Sequence, residues 1–255
     1  ACAPRLGAVE GRKGAFMKET DKTYQLLQLL DRYGIMTRIQ IIDRLTITEK
    51  NLRLSLQKLE KLGFIKTFKE TSKYAHYITT KGSEYIGLLN FGYVQGDKQP
   101  NLATLRHNLM MNDAIVESIQ LLRKTYPDNE LMIVTEREIL AEKYLDLNQQ
   151  YRGKWLRREK AVVRHKIPDF YLLITIDDEI LRISYELELT RKSRHALETK
   201  LRWYADQKKH GWITQVCYVY DDERISDYVA VNASKLNLSI QFYRMGSIQT
   251  RSKGD

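Results

Sequence analysis

Only two cysteines, Cys2 and Cys217, occur in the 255 residues. They are too few for a disulfide framework and lack metal-site spacing, so neither a stapled small module nor a cysteine-ligated zinc centre is expected. Cys217 stands inside the apolar run Val216 to Tyr220 and reads as a core residue. No stretch reaches the roughly 18 apolar residues of a membrane span, and no charged segment followed by an apolar core marks a secretory signal. The expectation is a cytoplasmic protein with no membrane partner. Acidic residues are also in deficit: 32 Asp and Glu face 42 Lys and Arg, for a formal charge of +10. That balance favours a polyanionic partner, although charge alone does not choose between nucleic acid and an anionic surface.

What is present suffices for folded cores: 43% of the residues are hydrophobic, and the length suits one or two domains. Residues 1–16 have no periodicity and read as a non-native or disordered leader, with Met17 as a natural start. Gln95 to Asn101 concentrates polar residues, Gly96 and Pro100, and is the best candidate linker. The expected domains are therefore residues 17–95 and 102–250.

In the first domain, Thr23 to Tyr33 carries Leu26, Leu27, Leu29 and Leu30 and stops at Gly34, and Thr37 to Leu45 forms a short second helix. Thr48 caps a third, in which Leu52, Leu56 and Leu59 recur at helical spacing before Gly63. Phe64 to Phe68 and Tyr74 to Ile78 alternate as two strands, and a further helix follows Thr80. The arrangement resembles a winged helix-turn-helix. The third helix would then enter the major groove with Lys50, Asn51, Arg53 and Gln57, while Lys66, Lys69 and Lys73 of the hairpin touch phosphate. Solvated faces of a small helical domain would look similar. His76 reads as a packed or exposed wing residue, since no acid or nucleophile lies near it in the sequence.

The second domain opens with a long helix, Leu102 to Tyr126, then a strand, Leu131 to Thr135, and an irregular or helical stretch from Glu136. Residues 151–166 hold seven Lys or Arg and one Glu, with Tyr151 and Trp155 interleaved. Arg152, Lys154, Arg157 and Arg158 could neutralise phosphates there, and the aromatic rings could stack on unpaired bases. A solvated loop is the other reading of this segment.

The carboxylates come next. Asp169 opens an apolar run ending at Ile176, Asp177-Asp178 reads as a turn, and the returning strand closes on Glu186-Leu187-Glu188. With the turn centred on Asp177-Asp178, Asp169 lies opposite Glu186, with Cβ atoms about 5 Å apart. A one-residue slip would carry Asp169 to the other face. Like charges so close repel, and a divalent cation would turn that repulsion into ligation by oxygen. Three carboxylates, Asp169, Glu186 and Glu188, suit Mg²⁺ or Mn²⁺ rather than zinc. A helix to about Lys209, a strand from Ile213, a helix from Glu223 and a last strand from Leu238 complete a domain with a mixed sheet flanked by helices.

That element order resembles the PD-(D/E)xK nuclease superfamily, with its restriction-endonuclease-like α+β or α/β domain. With a winged helix in front, and with His165-Lys166-Ile167-Pro168-Asp169, Tyr185-Glu186-Leu187-Glu188 and Lys200-Leu201-Arg202-Trp203-Tyr204 in that order, the chain resembles the replication-relaxation family and the MOBC plasmid relaxases. The resemblance covers about residues 20 to 245. It implies sequence-specific, metal-dependent DNA nicking at a transfer origin in plasmid or integrative-element mobilisation. The implied partners are duplex DNA, single-stranded DNA near the nick, other transfer proteins and a second copy of the chain. Carried over residue by residue, Asp169 and Glu186 ligate the metal. Glu188 occupies the position where many of these nucleases have lysine, so it is either a third ligand or the mark of a degenerate site. Lys192 or Lys200 would supply the missing cation. His165 would contact the scissile phosphate or donate a proton, or be merely a histidine in a basic loop, and Tyr204 reads as a core aromatic. The alternative is a non-catalytic DNA-binding accessory or replication regulator; a restriction or repair nuclease is a third class.

Overall fold

The computed structural model describes residues 21–70, 73–87 and 102–246. The leader 1–16 and the linker around Pro100 lie outside them. The chain divides into two compact units, residues 1–100 and 101–255. Both mix helix and strand, the first around a small antiparallel sheet and the second around a five-stranded mixed one.

In the first unit, α1 (Lys22–Tyr33) is capped by the Asp21 carboxylate and ends at Gly34. A two-residue strand β1 (Met36–Thr37) leads into α2 (Arg38–Ile42), where Thr37 and Gln40 form a reciprocal capping box. Thr48 accepts from the Asn51 N–H to start α3 (Glu49–Lys61), and Gly63 turns the chain at φ +73, a region that glycine enters without steric cost. The strands β2 (Ile65–Glu70) and β3 (Lys73–Ile78) pair antiparallel, with β1 on the far side of β3. Then α4 (Thr80–Tyr85) packs so closely that a Cβ on Gly82 would lie 2.2 Å from the Phe64 carbonyl oxygen. Leu26, Leu30, Met36, Leu52, Leu59 and Ile65 are fully enclosed between these elements. At two residues β1 is too short to carry an alternating pattern, and the sequence gives no sign of it.

His76 is a structural residue of this sheet. It is 2% exposed, its Nδ1 lies 3.0 Å from the Thr67 hydroxyl, and its buried Nε2 has no hydrogen-bond partner among the described residues. Burial, helped by the Arg38 charge, lowers its pKa from 6.5 to about 4. The folded state therefore holds a neutral ring at pH values where the unfolded chain takes up a proton. The stability that depends on this neutral ring is complete above pH 6.5 and drains away as pH falls toward 4, by about 3 kcal/mol in all. Urea titrations at a series of pH values, followed by far-UV circular dichroism, should show that slope, and His76→Gln should flatten it. A wild-type protein equally stable at pH 7 and pH 4.5 in this transition would contradict the assignment.

The second unit begins with α5 (Leu102–Thr125), β4 (Leu131–Thr135), α6 (Glu136–Gln150) and α7 (Gly153–Arg164). The hairpin β5 (Phe170–Ile176) and β6 (Glu179–Glu188) follows, then α8 (Arg194–Lys209), β7 (Gln215–Tyr220), α9 (Glu223–Ser234) and β8 (Gln241–Arg244). The sheet order is β4-β5-β6-β7-β8; β4, β5 and β6 run antiparallel in turn, while β7 and β8 run parallel to β6. Asp177 and Asp178 both have positive φ, 48° and 65°, the geometry of a two-residue hairpin whose twist matches its strands. The register pairs Phe170 with Tyr185 and Ile176 with Glu179, so Asp169 stands opposite Glu186. Cys217 is buried in β7.

On one face of the sheet, Leu201 and Tyr204 of α8 and Val229 of α9 pack on Val216 and Tyr218. The other face meets α5, whose His107 ring lies 3.3 Å from the Leu187 carbonyl. Because β6 is the middle strand, residues 183–188 are buried on both sides, and Glu186 and Glu188 are only 1% and 4% exposed. Neither acid is therefore on a solvent-facing strand edge. The basic segment differs from a solvated loop as well: it is helical. Lys and Arg propagate helix readily, and Leu156, Lys160 and Val163 fall on one half-buried side of α7.

Candidate active site

A cleft of about 690 Å³ opens in the second unit at the end of the sheet where β5 begins and β6 finishes. Asp169 sits there because its backbone is held from both sides. Its N–H donates to the Tyr185 carbonyl (3.0 Å), and its carbonyl accepts from the Glu136 N–H (2.9 Å). Its side-chain Oδ2 takes the next position in the β6 ladder, accepting from the Leu187 N–H at 2.7 Å, and lies 3.8 Å from His107 Nε2.

Glu186 is enclosed by cations. Its Oε1 lies 2.8 Å from Lys200 Nζ and accepts from the Tyr204 hydroxyl, and its Oε2 is 3.5 Å from Lys192 Nζ. Lys200 also donates to the Ile167 carbonyl, tying α8 to the segment that leads into β5. Lys192, from the loop before α8, approaches Glu188 Oε2 to 2.6 Å. Among the described residues, the Tyr218 hydroxyl, on the strand beside Glu186, is buried without a hydrogen-bond partner.

These surroundings separate the carboxyl groups electrostatically. Burial alone would raise Glu186, but Lys200 and Lys192 hold it below the usual carboxylate range. Asp169 is raised, by burial first and by the Glu186 charge second. Burial also raises Glu188 despite Lys192. Glu136, the first residue of α6, is pushed up to about 7 by burial and by Asp169, against the pull of Arg164, His107 and Lys200. Burial works against the Lys192 ammonium, yet Glu186, Glu188 and Asp169 together raise its pKa. One carboxylate is thus kept ionised while its neighbours hold protons more tightly, a division characteristic of acid–base and charge-stabilising sites.

Asp169, Glu186, Glu188, Lys192, Lys200 and His165 all line this one cleft. Around it stand Arg106 and His107 from α5, Arg164 and Lys166 at the end of α7, and His195. The DNA-contact candidates lie elsewhere. Lys50, Asn51, Arg53 and Gln57 are exposed along α3, Lys66 and Lys69 are exposed on β2, and the Lys73 side chain is outside the described residues. Arg152, Lys154, Arg157 and Arg158 are exposed on α7 or at its start. Tyr204 is fully buried, and its pKa is raised well above the ordinary tyrosine value by burial and by Glu186, so it is a core donor to Glu186.

Glu136 and His107 belong to the site although sequence reasoning passed over both. For Glu136 a signal existed: Thr135 and Glu138 form a capping box, which marks a helix starting at residue 136, directly after a strand. His107 had none, since nothing in its helical context distinguishes it.

Among the described residues, no three His, Cys, Asp or Glu side chains are grouped closely enough to hold a metal ion unaided. The oxygen donors nevertheless fit a hard cation, because Mg²⁺ commonly takes one or two carboxylates and completes its shell with water and substrate phosphate. Comparisons with protein-family models, curated proteins and solved structures give no match. Among the described residues, no helix is long and apolar enough to cross a membrane.

Proposed function

We propose that this protein is a divalent-metal-dependent DNA endonuclease that nicks one strand at a specific site, acting as a relaxase in plasmid or integrative-element mobilisation. In this reading the first unit is a winged helix presenting α3 to the major groove, and the second is a PD-(D/E)xK-type nuclease domain. One observation carries the proposal: Asp169 and Glu186, opposed across the β5–β6 hairpin, lie in a single cleft with Arg106, Arg164, His165 and Lys166. Acids beneath cations are what a phosphodiester requires, since the cations receive its charge and the acids handle metal and protons.

Asp169 and Glu186 would hold Mg²⁺ or Mn²⁺, with Glu188 beside them. When bound, such a cation supplies Lewis-acid polarisation of the phosphoryl oxygen and a lower pKa for water. The chain's own groups do the rest. Arg164, His165 and Lys166 orient the phosphate from the end of α7. Lys192 and Lys200 divide in role: Lys200 is buried and bound to Ile167 and Glu186, whereas Lys192 keeps 35% of its side chain exposed. Lys192 is therefore the cation that stabilises charge developing on phosphate, where related nucleases would use a lysine at position 188.

A second reading has its own support. Glu186 is already paired with two lysines and hydrogen-bonded by Tyr204, as expected of a nuclease fold retained as the scaffold of a DNA-binding accessory or replication regulator. Supercoiled plasmid carrying the transfer origin, incubated with the protein and Mg²⁺ or Mn²⁺, decides between them. The first reading gives open circles that chelation prevents; intact supercoils alongside tight duplex binding would leave the second.

A further inference from the structure

We propose that the exposed face of α7 is a stacking site for an unpaired base of single-stranded DNA, centred on Trp155. The inference rests on the nicking reading and extends it, by naming what lies beside the cut and which residue receives it. Trp155 is 63% exposed, and the Arg158 guanidinium lies 5.7 Å from its ring centroid. No residue of α7 is fully buried. The helix docks through the half-buried Leu156, Lys160 and Val163, with Lys160 also lying 4.8 Å over the Tyr144 ring, so Trp155 is not needed to hold it in place.

Helical spacing places Trp155, Arg158, Val162 and His165 in one stripe, at intervals of three, four and three residues. All four are exposed, and Val162 and His165 at the far end line the carboxylate cleft. The segment's single acid, Glu159, lies on the half-buried side, away from the stripe. The exposed stripe therefore carries an indole and a guanidinium with no acid among its four residues, and it runs from Trp155 to the cleft over about 15 Å of helix.

An indole beside a guanidinium offers a flat surface to a nucleobase and positive charge to its phosphate, a sequence-tolerant combination. Duplex DNA hides its base faces within the stack and cannot use it. A strand with exposed bases can, and one that stacks on Trp155 would be led along Arg158 to the site of cutting.

The test uses the full chain. Trp155→Ala should weaken binding of oligothymidylate about tenfold, while binding of a blunt mixed-sequence duplex changes less than about twofold. Trp155→Phe keeps a ring and should recover most of the loss. An unchanged oligothymidylate affinity in Trp155→Ala, or equal losses on both probes, would overturn the proposal. So would loss of binding to phosphatidylserine vesicles with oligothymidylate binding intact, which would make α7 a membrane-surface helix. Plasmid nicking by the same preparations separates the two readings. Wild-type protein that binds oligothymidylate through Trp155 without nicking keeps the stacking site and loses the nuclease. Protein that nicks with no dependence of oligothymidylate binding on Trp155 does the reverse.

Discussion

Asp169→Asn should reduce metal-dependent nicking by more than about a hundredfold while leaving the fold and duplex binding intact. The amide is nearly isosteric with the carboxylate, and its oxygen can still accept from the Leu187 N–H, the 2.7 Å bond that Oδ2 makes now. The backbone bonds to Tyr185 and Glu136 do not involve the side chain at all. What disappears is the charge opposite Glu186, and with it half of the carboxylate pair. Folding stability should hold or rise slightly, because burial and Glu186 already disfavour the ionised form of Asp169. In the proposed reading duplex binding would draw on exposed cations and on α3, so a gel shift on the origin fragment should be unchanged within about twofold. Open-circle formation is the measurement. A variant that nicks at the wild-type rate would remove Asp169 from the proposed metal site and, with it, the reason for reading the cleft as a nuclease.

The pairing of Asp169 with Glu186 was legible because a strand has a period of two and a turn fixes its centre. Asp177 and Asp178 supply that centre, and alternation on either side does the rest. The helices of the first unit were equally legible, since Thr48, Gly34 and Gly63 stand where caps belong. The cationic helix α7 was harder. Seven Lys or Arg in 16 residues blur an apolar stripe made only of Leu156 and Val163, and the dense charge invites a loop assignment. The partners of Glu186 show where sequence reading ends. Spacing puts Lys200 and Tyr204 on one side of α8, but only the packing of α8 against the sheet brings both to the same carboxylate. Proton affinities lie further still from the sequence, because Glu136 owes its raised pKa to burial and to Asp169, 33 positions away.

Glu186→Ala should destabilise the second unit by about 3 to 5 kcal/mol, whatever it does to activity. Lys200 is 8% exposed, and without Glu186 its ammonium loses its nearest carboxylate, keeping the Ile167 carbonyl and the more distant charges of Asp169 and Glu136. The Tyr204 hydroxyl, fully buried, loses its acceptor as well. Removing the charge from both partners avoids this cost, so Glu186→Gln combined with Lys200→Met should return to within about 1.5 kcal/mol of wild type while remaining inactive. All three tryptophans, Trp155, Trp203 and Trp212, lie in the second unit, and Trp203 packs 4.8 Å from Tyr204, so urea unfolding followed by fluorescence reports on this region. The pH dependence follows from the lowered Glu186 pKa. The stabilisation is complete above the ordinary Glu pKa of about 4.3 and is lost as acidification passes the lower folded value, so the gap between wild type and Glu186→Ala should narrow only in acid. A Glu186→Ala protein as stable as wild type at neutral pH would mean that Lys200 does not depend on Glu186. Lys200 would then no longer count as a fixed structural cation, and the division of roles between Lys200 and Lys192 would fall with it.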